Sequence, residues 1–255
     1  MDCAASVLDA LRRGRTIEQP VALVVAHPDD ETVGAGASLA LLRRLTLVHV
    51  TDGAPRSMRD ARAAGFDTAR DYAAARLWEL RLALRAAEAH TDPLSLGIAD
   101  QEASLCVPAL ETVLRGLLAE VVVVITHAYE GGHPDHDACA AAVHRVCLSL
   151  APRPAVLEFP SYHAGPDGGW VVQSFLPGGP PATELSLDAA ARARKRLALD
   201  CFSTQRRTLA PFSAERELFR RAPDYDFSQP PHPGTLLYER HDWGMTGTRW
   251  RELNG

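Results

Sequence analysis

VALVVAHPDDETVGAG, Val21 to Gly36, decides the fold. Six aliphatic residues follow one another without a polar break, as a strand covered on both faces requires. The run stops abruptly at His27-Pro28-Asp29-Asp30-Glu31. Three adjacent carboxylates at the end of a buried strand repel one another in low dielectric, so either full solvation in a turn or a bound cation must offset the cost.

The same grammar continues outward. Aliphatic runs at 21–26, 45–51, 121–126, 155–159 and 235–240 read as strands. Segments of helical period near 33–44, 69–88, 107–119, 137–148 and 187–201 alternate with them. Strands apolar at every position, interleaved with helices, imply parallel βαβ units. The expected fold is α/β, doubly wound, with a mostly parallel Rossmann-like sheet and helices on both faces. One domain is expected over 1–255, with a core at about 20–160 and covering loops or a lobe at about 160–255. The Pro- and Gly-rich segments 160–186 and 222–234 read as the loops over the site.

Bulk properties narrow the function. With 255 residues, 46% hydrophobic and 23% charged, the chain can bury one large core. Formal net charge is -5, and the basic residues, all Arg except Lys195, are scattered among acids, so no nucleic-acid partner is expected. The amino terminus lacks the basic start and apolar run of an export signal, and no apolar run reaches the length of a membrane span, so a cytoplasmic location and no membrane partner are expected. Five cysteines without a CxxC argue against a disulfide framework and read as buried thiols. The Ala- and Arg-rich, Lys-poor composition suggests a GC-rich bacterial genome.

In an open α/β sheet, ligands bind outside the carboxyl ends of the strands. That rule brings together His27 to Glu31, Thr51-Asp52-Gly53, and the second polar cluster THAYEGGHPDHDAC, Thr126 to Cys139. A single His-Pro-Asp is ordinary turn and cap chemistry. Two of them at neighbouring strand ends supply imidazoles and carboxylates, the donor set of hydrolytic zinc sites. Asp29 and Asp30 are neighbours, so one can ligate while the other takes a proton from water.

AHPDDE and, about a hundred residues on, GHPDH together resemble the PIG-L/LmbE-like zinc-dependent N-deacetylases, from about residue 20 to 150. The resemblance implies one zinc held by His27, Asp30 and His136, with Asp29 as general base. It also implies His133 as the group donating to the oxyanion and Asp135 as the residue orienting it. ARLWELRLAL resembles the family's R-x-x-E helix, which would turn Arg76 towards substrate; a surface Arg76–Glu79 pair is the competing reading. LGIADQE resembles a family loop in which Asp100 would face the sugar. Glu31 would support the site from behind. Tyr129, in AYEGG, and His163, in a covering loop, are further candidate substrate contacts. His49 and His144 read as packed or surface histidines, and Tyr162, Trp170 and Trp243 either pack the added lobe or stack on a ligand.

The expected partner is a small-molecule sugar conjugate, and the expected reaction is removal of its N-acetyl group. An amidase of the same family acting on a bulkier N-acyl conjugate would use the same residues. A dinucleotide-binding oxidoreductase fits poorly, because Gly34 and Gly36 come late after the strand and acids occupy the place of the pyrophosphate. Oligomeric state is not readable.

Overall fold

A computed structural model describes residues 2–255. Five parallel strands form its centre: β1 (Ile17–Val25), β2 (Leu42–Thr51), β3 (Leu94–Ile98), β4 (Val123–His127) and β5 (Ala155–Phe159). A short antiparallel pair, β6 (Tyr162–Ala164) and β7 (Trp170–Val172), stands apart from the sheet. Beyond β5 lie β8 (Thr183–Ser186) and β9 (Arg216–Arg221), giving the order β3-β2-β1-β4-β5-β9-β8 with the last two antiparallel to their neighbours. The chain leaves β1 towards β2 and returns to β4 on its other side, so a crevice opens where β1 and β4 end.

Alternate residues of the unbroken apolar strands serve different layers. Val21, Leu23 and Val25 of β1 join Val123 and Ile125 of β4 in one core. It is covered by α1 (Cys3–Arg12), by α4 (Ala69–Ala86) and by Ala198 of α7 (Ala189–Asp200). Ala22, Val24 and Val124 point the other way, onto α5 (Val107–Leu117) and α6 (Pro134–Ser149). Both faces of the centre are therefore dry, as their Val- and Leu-rich composition demands. Cys139 and Cys147 are buried within the second core, whereas Cys3 is exposed and Cys106 and Cys201 are intermediate, so burial accounts for only two of the five.

Three sequence expectations change. The helix expected over 33–44 is only α2 (Asp30–Ala35) and a 3-10 turn at Leu39–Leu41, because β2 already begins at Leu42. Gly34 lets α2 lie on Phe159, whose ring would sit 2.4 Å from a Cβ at that position. The segment 235–240 is not a strand: Leu237–Arg240 forms a 3-10 turn, and the strand paired to β5 on this side of the sheet is β9, with β8 at the edge. The edge strand β3, mostly exposed or half-buried, went unread because it lacks an apolar run.

A buried ion pair fastens α2 to the far side of the sheet. The Lys195 ammonium donates to Glu217 at 3.0 Å and to the Val33 carbonyl at 2.9 Å, while Glu217 accepts the Ala37 N–H and the Ser38 hydroxyl. Replacing Lys195 by alanine strands a fully buried carboxylate, so urea denaturation should show a loss of roughly 3–5 kcal/mol.

His144 of α6 gives a pH dependence. It lies edge-on to Tyr225 and Phe227 with Nε2 unpartnered, and burial pushes it down to about 4. The unfolded chain, near 6.5, therefore binds a proton that the native state refuses between pH 6.5 and 4. Stability falls across that window as pH drops, by about 3 kcal/mol at most. Thermal melts of His144→Leu should show a flatter acid limb than the wild type between those pH values; equal slopes would refute the assignment.

Candidate metal centre and active site

Strand ends and helix starts build the site. His27 follows β1 after one residue, Ala26, and Asp30 opens α2, its carboxylate accepting the His27 backbone N–H at 2.7 Å. His133 caps α6 and His136 lies in its first turn. His27 Nδ1, His136 Nε2 and the Asp30 carboxylate converge: His27 is 3.3 Å from His136 and 3.2 Å from Asp30, and His136 is 3.3 Å from Asp30. Tetrahedral zinc with nitrogen and oxygen ligands at about 2.0–2.1 Å sets its donors about 3.3–3.4 Å apart, so these residues fit such an ion.

The surroundings demand positive charge. His27 Nε2 lies 3.1 Å from Asp100 and 3.4 Å from Asp135, so three carboxylates reach one imidazole. Burial alone would push His27 down, but Asp100, Asp135 and Asp30 outweigh it and hold the ring well above its ordinary value. Burial would raise Asp30, yet the imidazoles of His136 and His127 outweigh it and hold the carboxyl well below the usual range. His136 itself is pushed down to about 3, first by burial and then by His127, against the pull of Asp30. The acid cluster at the end of β1 is buried, not solvated, which favours the cation over the solvated turn.

Asp29 stands beside the donors in a costly conformation. Its φ is +144°, which residues with a Cβ rarely adopt. Its N–H donates to Glu31 at 3.0 Å, and its carboxylate accepts from Arg76 at 3.0 Å. Burial pushes Asp29 up to about 8, with Arg76 opposing. Arg76 also donates to the Pro28 and Gly53 carbonyls, both at 2.8 Å, so it clamps the loops after β1 and β2. Glu79 is not its partner: that carboxylate accepts from Ser203 and Thr204. Glu31 points away from the donors and pairs with His49 at 2.9 Å.

His133 is oriented by the helix start. Its Nδ1 accepts the Asp135 backbone N–H at 3.1 Å, so the ring's proton sits on Nε2, which faces Asp100 at 3.6 Å. Burial and His27 push His133 down to about 3, keeping the ring neutral with a donor aimed into the site. The Asp135 carboxylate is 4.0 Å from Nδ1 and instead accepts the Gln101 and Ala103 N–H groups at 2.6 and 3.0 Å, fixing the loop that carries Asp100.

Other candidates fall elsewhere. Tyr129 packs against Phe227 and Trp250, and its hydroxyl donates to the Gln229 carbonyl, outside the cluster. His163 is buried in β6 with Nε2 unpartnered. His127 lies in the second polar cluster of the sequence, which assigns it no role. Its ring stacks on His136 at 4.0 Å, its Nε2 accepts the Ala26 N–H, and its Nδ1 donates to Ser161. With His136 Nδ1 buried and unpartnered, that stack holds the His136 ring in place. A histidine at the end of a second buried strand, mirroring His27 after the first, was the available signal.

Comparison with known proteins gives a family and a fold. Residues 22–147 match the PIG-L family, described as GlcNAc-PI de-N-acetylase. No curated protein sequence matches. Among solved structures, the A40926 pseudoaglycone deacetylase Dbv21 is similar at 19% identity with a TM-score of 0.61, over 82% of this chain and 100% of that one. The zinc-inhibited form of teicoplanin deacetylase Orf2 is similar at 17% identity and 0.60, over 81% and 100%. N,N'-diacetylchitobiose deacetylase from Pyrococcus horikoshii is similar at 15% identity and 0.55, over 88% and 94%. At such identities the likeness establishes a shared fold.

Proposed function

Residues 22–147 are a PIG-L family domain, and from that premise we propose that this chain is a zinc-dependent N-deacetylase of N-acetylglucosamine-type sugar conjugates. The observation that carries the reading is the triangle of His27, Asp30 and His136, whose separations of 3.2–3.3 Å suit one tetrahedral ion, beside the strained, buried Asp29. The three structures described above, two deacetylases of antibiotic scaffolds and one of a diacetylated disaccharide, favour the same chemistry.

His27, Asp30 and His136 would hold the metal, which supplies Lewis acidity towards water and the amide carbonyl. Asp29 takes the proton of the attacking water. Arg76 occupies its Oδ2, which leaves Oδ1 as the proton acceptor and fixes its direction. The neutral His133 donates Nε2–H to the oxygen that becomes negative as the tetrahedral centre forms. Asp29 then returns its proton to the nitrogen, so the amine leaves neutral. Asp100 and Asp135 orient the His27 ring through its other nitrogen.

Metal analysis of the purified protein, with an assay for free amine from N-acetylglucosamine and its α- and β-linked methyl glycosides, tests the reading. Close to one zinc per chain with amine release is the expected result. Stoichiometric zinc without amine release from any of them would overturn the substrate assignment, and absence of bound metal would overturn the mechanism.

A further inference from the structure

Aromatic rings form a closed circuit through the proposed metal-donor imidazoles and His133, and the other four rings come from outside the family-matched residues. From His133 the contacts run to Trp243 at 4.6 Å, on to His241 at 4.4 Å in a parallel stack, and to Trp170 at 6.2 Å. Trp170 stacks on Tyr162 at 4.7 Å, and Tyr162 meets His136 edge-on at 5.3 Å. His27 closes the ring, 5.2 Å from His136 and 4.5 Å from His133. Trp170, 40% exposed, is where the circuit reaches solvent.

We propose that Tyr162, Trp170, His241 and Trp243 form a collar that grips the pyranose ring bearing the N-acyl group and so set the enzyme's selectivity for a sugar. Three observations carry this. First, Trp243 and Tyr162 lie within one ring of His133 and His136. An amide carbonyl at the donors is separated from the carbon bearing its nitrogen by only a few bonds, so the group meeting those rings is the sugar itself and not a distant substituent. Second, flat apolar rings match the C–H face of a pyranose. Third, His241 Nε2, within the collar, is buried without a hydrogen-bond partner. An unmet polar atom beside aromatic faces suits a ligand that is apolar on its face and hydroxylated at its edge, and a purely aromatic group would leave this nitrogen unpaired. The β6–β7 pair that carries Tyr162 and Trp170 lies close against the catalytic motif, since a Cβ on Gly132 would meet the Tyr162 carbonyl oxygen.

The collar rests on the deacetylase reading only for where the carbonyl sits, and its test does not require turnover. Methyl β-glucosaminide carries the ring and no amide, so it cannot be hydrolysed at nitrogen. Titrated into the zinc-loaded protein, it should change tryptophan emission saturably, and Trp243→Ala and Trp170→Ala should each weaken the apparent Kd about tenfold. His241→Phe, which keeps a ring and loses the nitrogens, should weaken it severalfold. The ratio of kcat/KM for methyl N-acetylglucosaminide to that for N-acetylethanolamine should fall in the same variants. No saturable change in the wild type, or tryptophan variants that bind as tightly as it does, would overturn the collar. Trp170→Ala, at an exposed position, keeps the test valid should Trp243→Ala fail to fold. Binding without amine release from any acetylated glycoside would sink the deacetylase reading and leave the collar standing; amine release with unweakened variants would do the reverse.

Discussion

Asp29→Asn is expected to lower kcat by about a thousandfold, the typical contribution of a positioned base, while zinc content stays at the wild-type level. The asparagine keeps the shape of the side chain and an oxygen for Arg76, so neither the clamp on the Pro28 and Gly53 carbonyls nor the neighbouring donors need move. What disappears is the capacity to take a proton. Turnover within tenfold of the wild type would remove Asp29 from the mechanism. Loss of zinc together with activity would show that Asp29 ligates and that its role has been confused with that of Asp30. The same residue invites a second comparison: at φ +144° a glycine is at ease where aspartate is strained. The strain persists because Glu31 and Arg76 hold the residue from either side.

Removal of the metal is expected to have an equally large effect, and a stability signature goes with it. A chelator should abolish amine release, and added zinc should restore it. An ion bound at a thousand times its Kd contributes about 4 kcal/mol to the folded state, so chelation should also lower the wild-type Tm by several degrees. Asp30→Ala should be inactive, should contain no stoichiometric zinc, and should melt at the same temperature with and without chelator. A chelator-sensitive Tm in that variant would mean that the ion is held by other residues, of which the cluster of His27, Asp100, His133 and Asp135 is the nearest. Chelator-resistant hydrolysis in the wild type would refute the metal-dependent mechanism altogether.

How much of this could be read from the sequence depended on where each residue gets its stability. β1 and β4 were legible because strands buried on both faces must be apolar throughout, and the chemistry placed at their ends was legible because polar residues there interrupt an otherwise monotonous run. β3 and β9 were not, since an edge strand and a strand carrying Glu217 and Arg220 draw on partners remote in sequence. The run at 235–240 departs from a strand because Leu236 and Tyr238 are buried against Ala140, Ala141 and Trp250, on helices and not in a sheet. Within the site, His27, Asp30, His133 and His136 came from two local motifs, whereas His127 acts by stacking, which leaves no spacing to recognise. The role of Asp135 divided in the same way. A motif can announce the residue, but only the fold shows that its carboxylate holds residues 101 and 103 while its backbone N–H holds His133.

The metal donors and Asp29 sit between residues 27 and 136, whereas the aromatic rings around them come from 162 to 243. On the proposed reading, the chain keeps what is done and what it is done to in different lengths of sequence. On that reading, substitutions at 162, 170, 241 and 243 leave each donor on its own strand end or helix start, so preference for one ligand over another can change without dismantling the site. Repurposing such a molecule, by selection or at the bench, would then start from those four rings and leave the strand ends untouched.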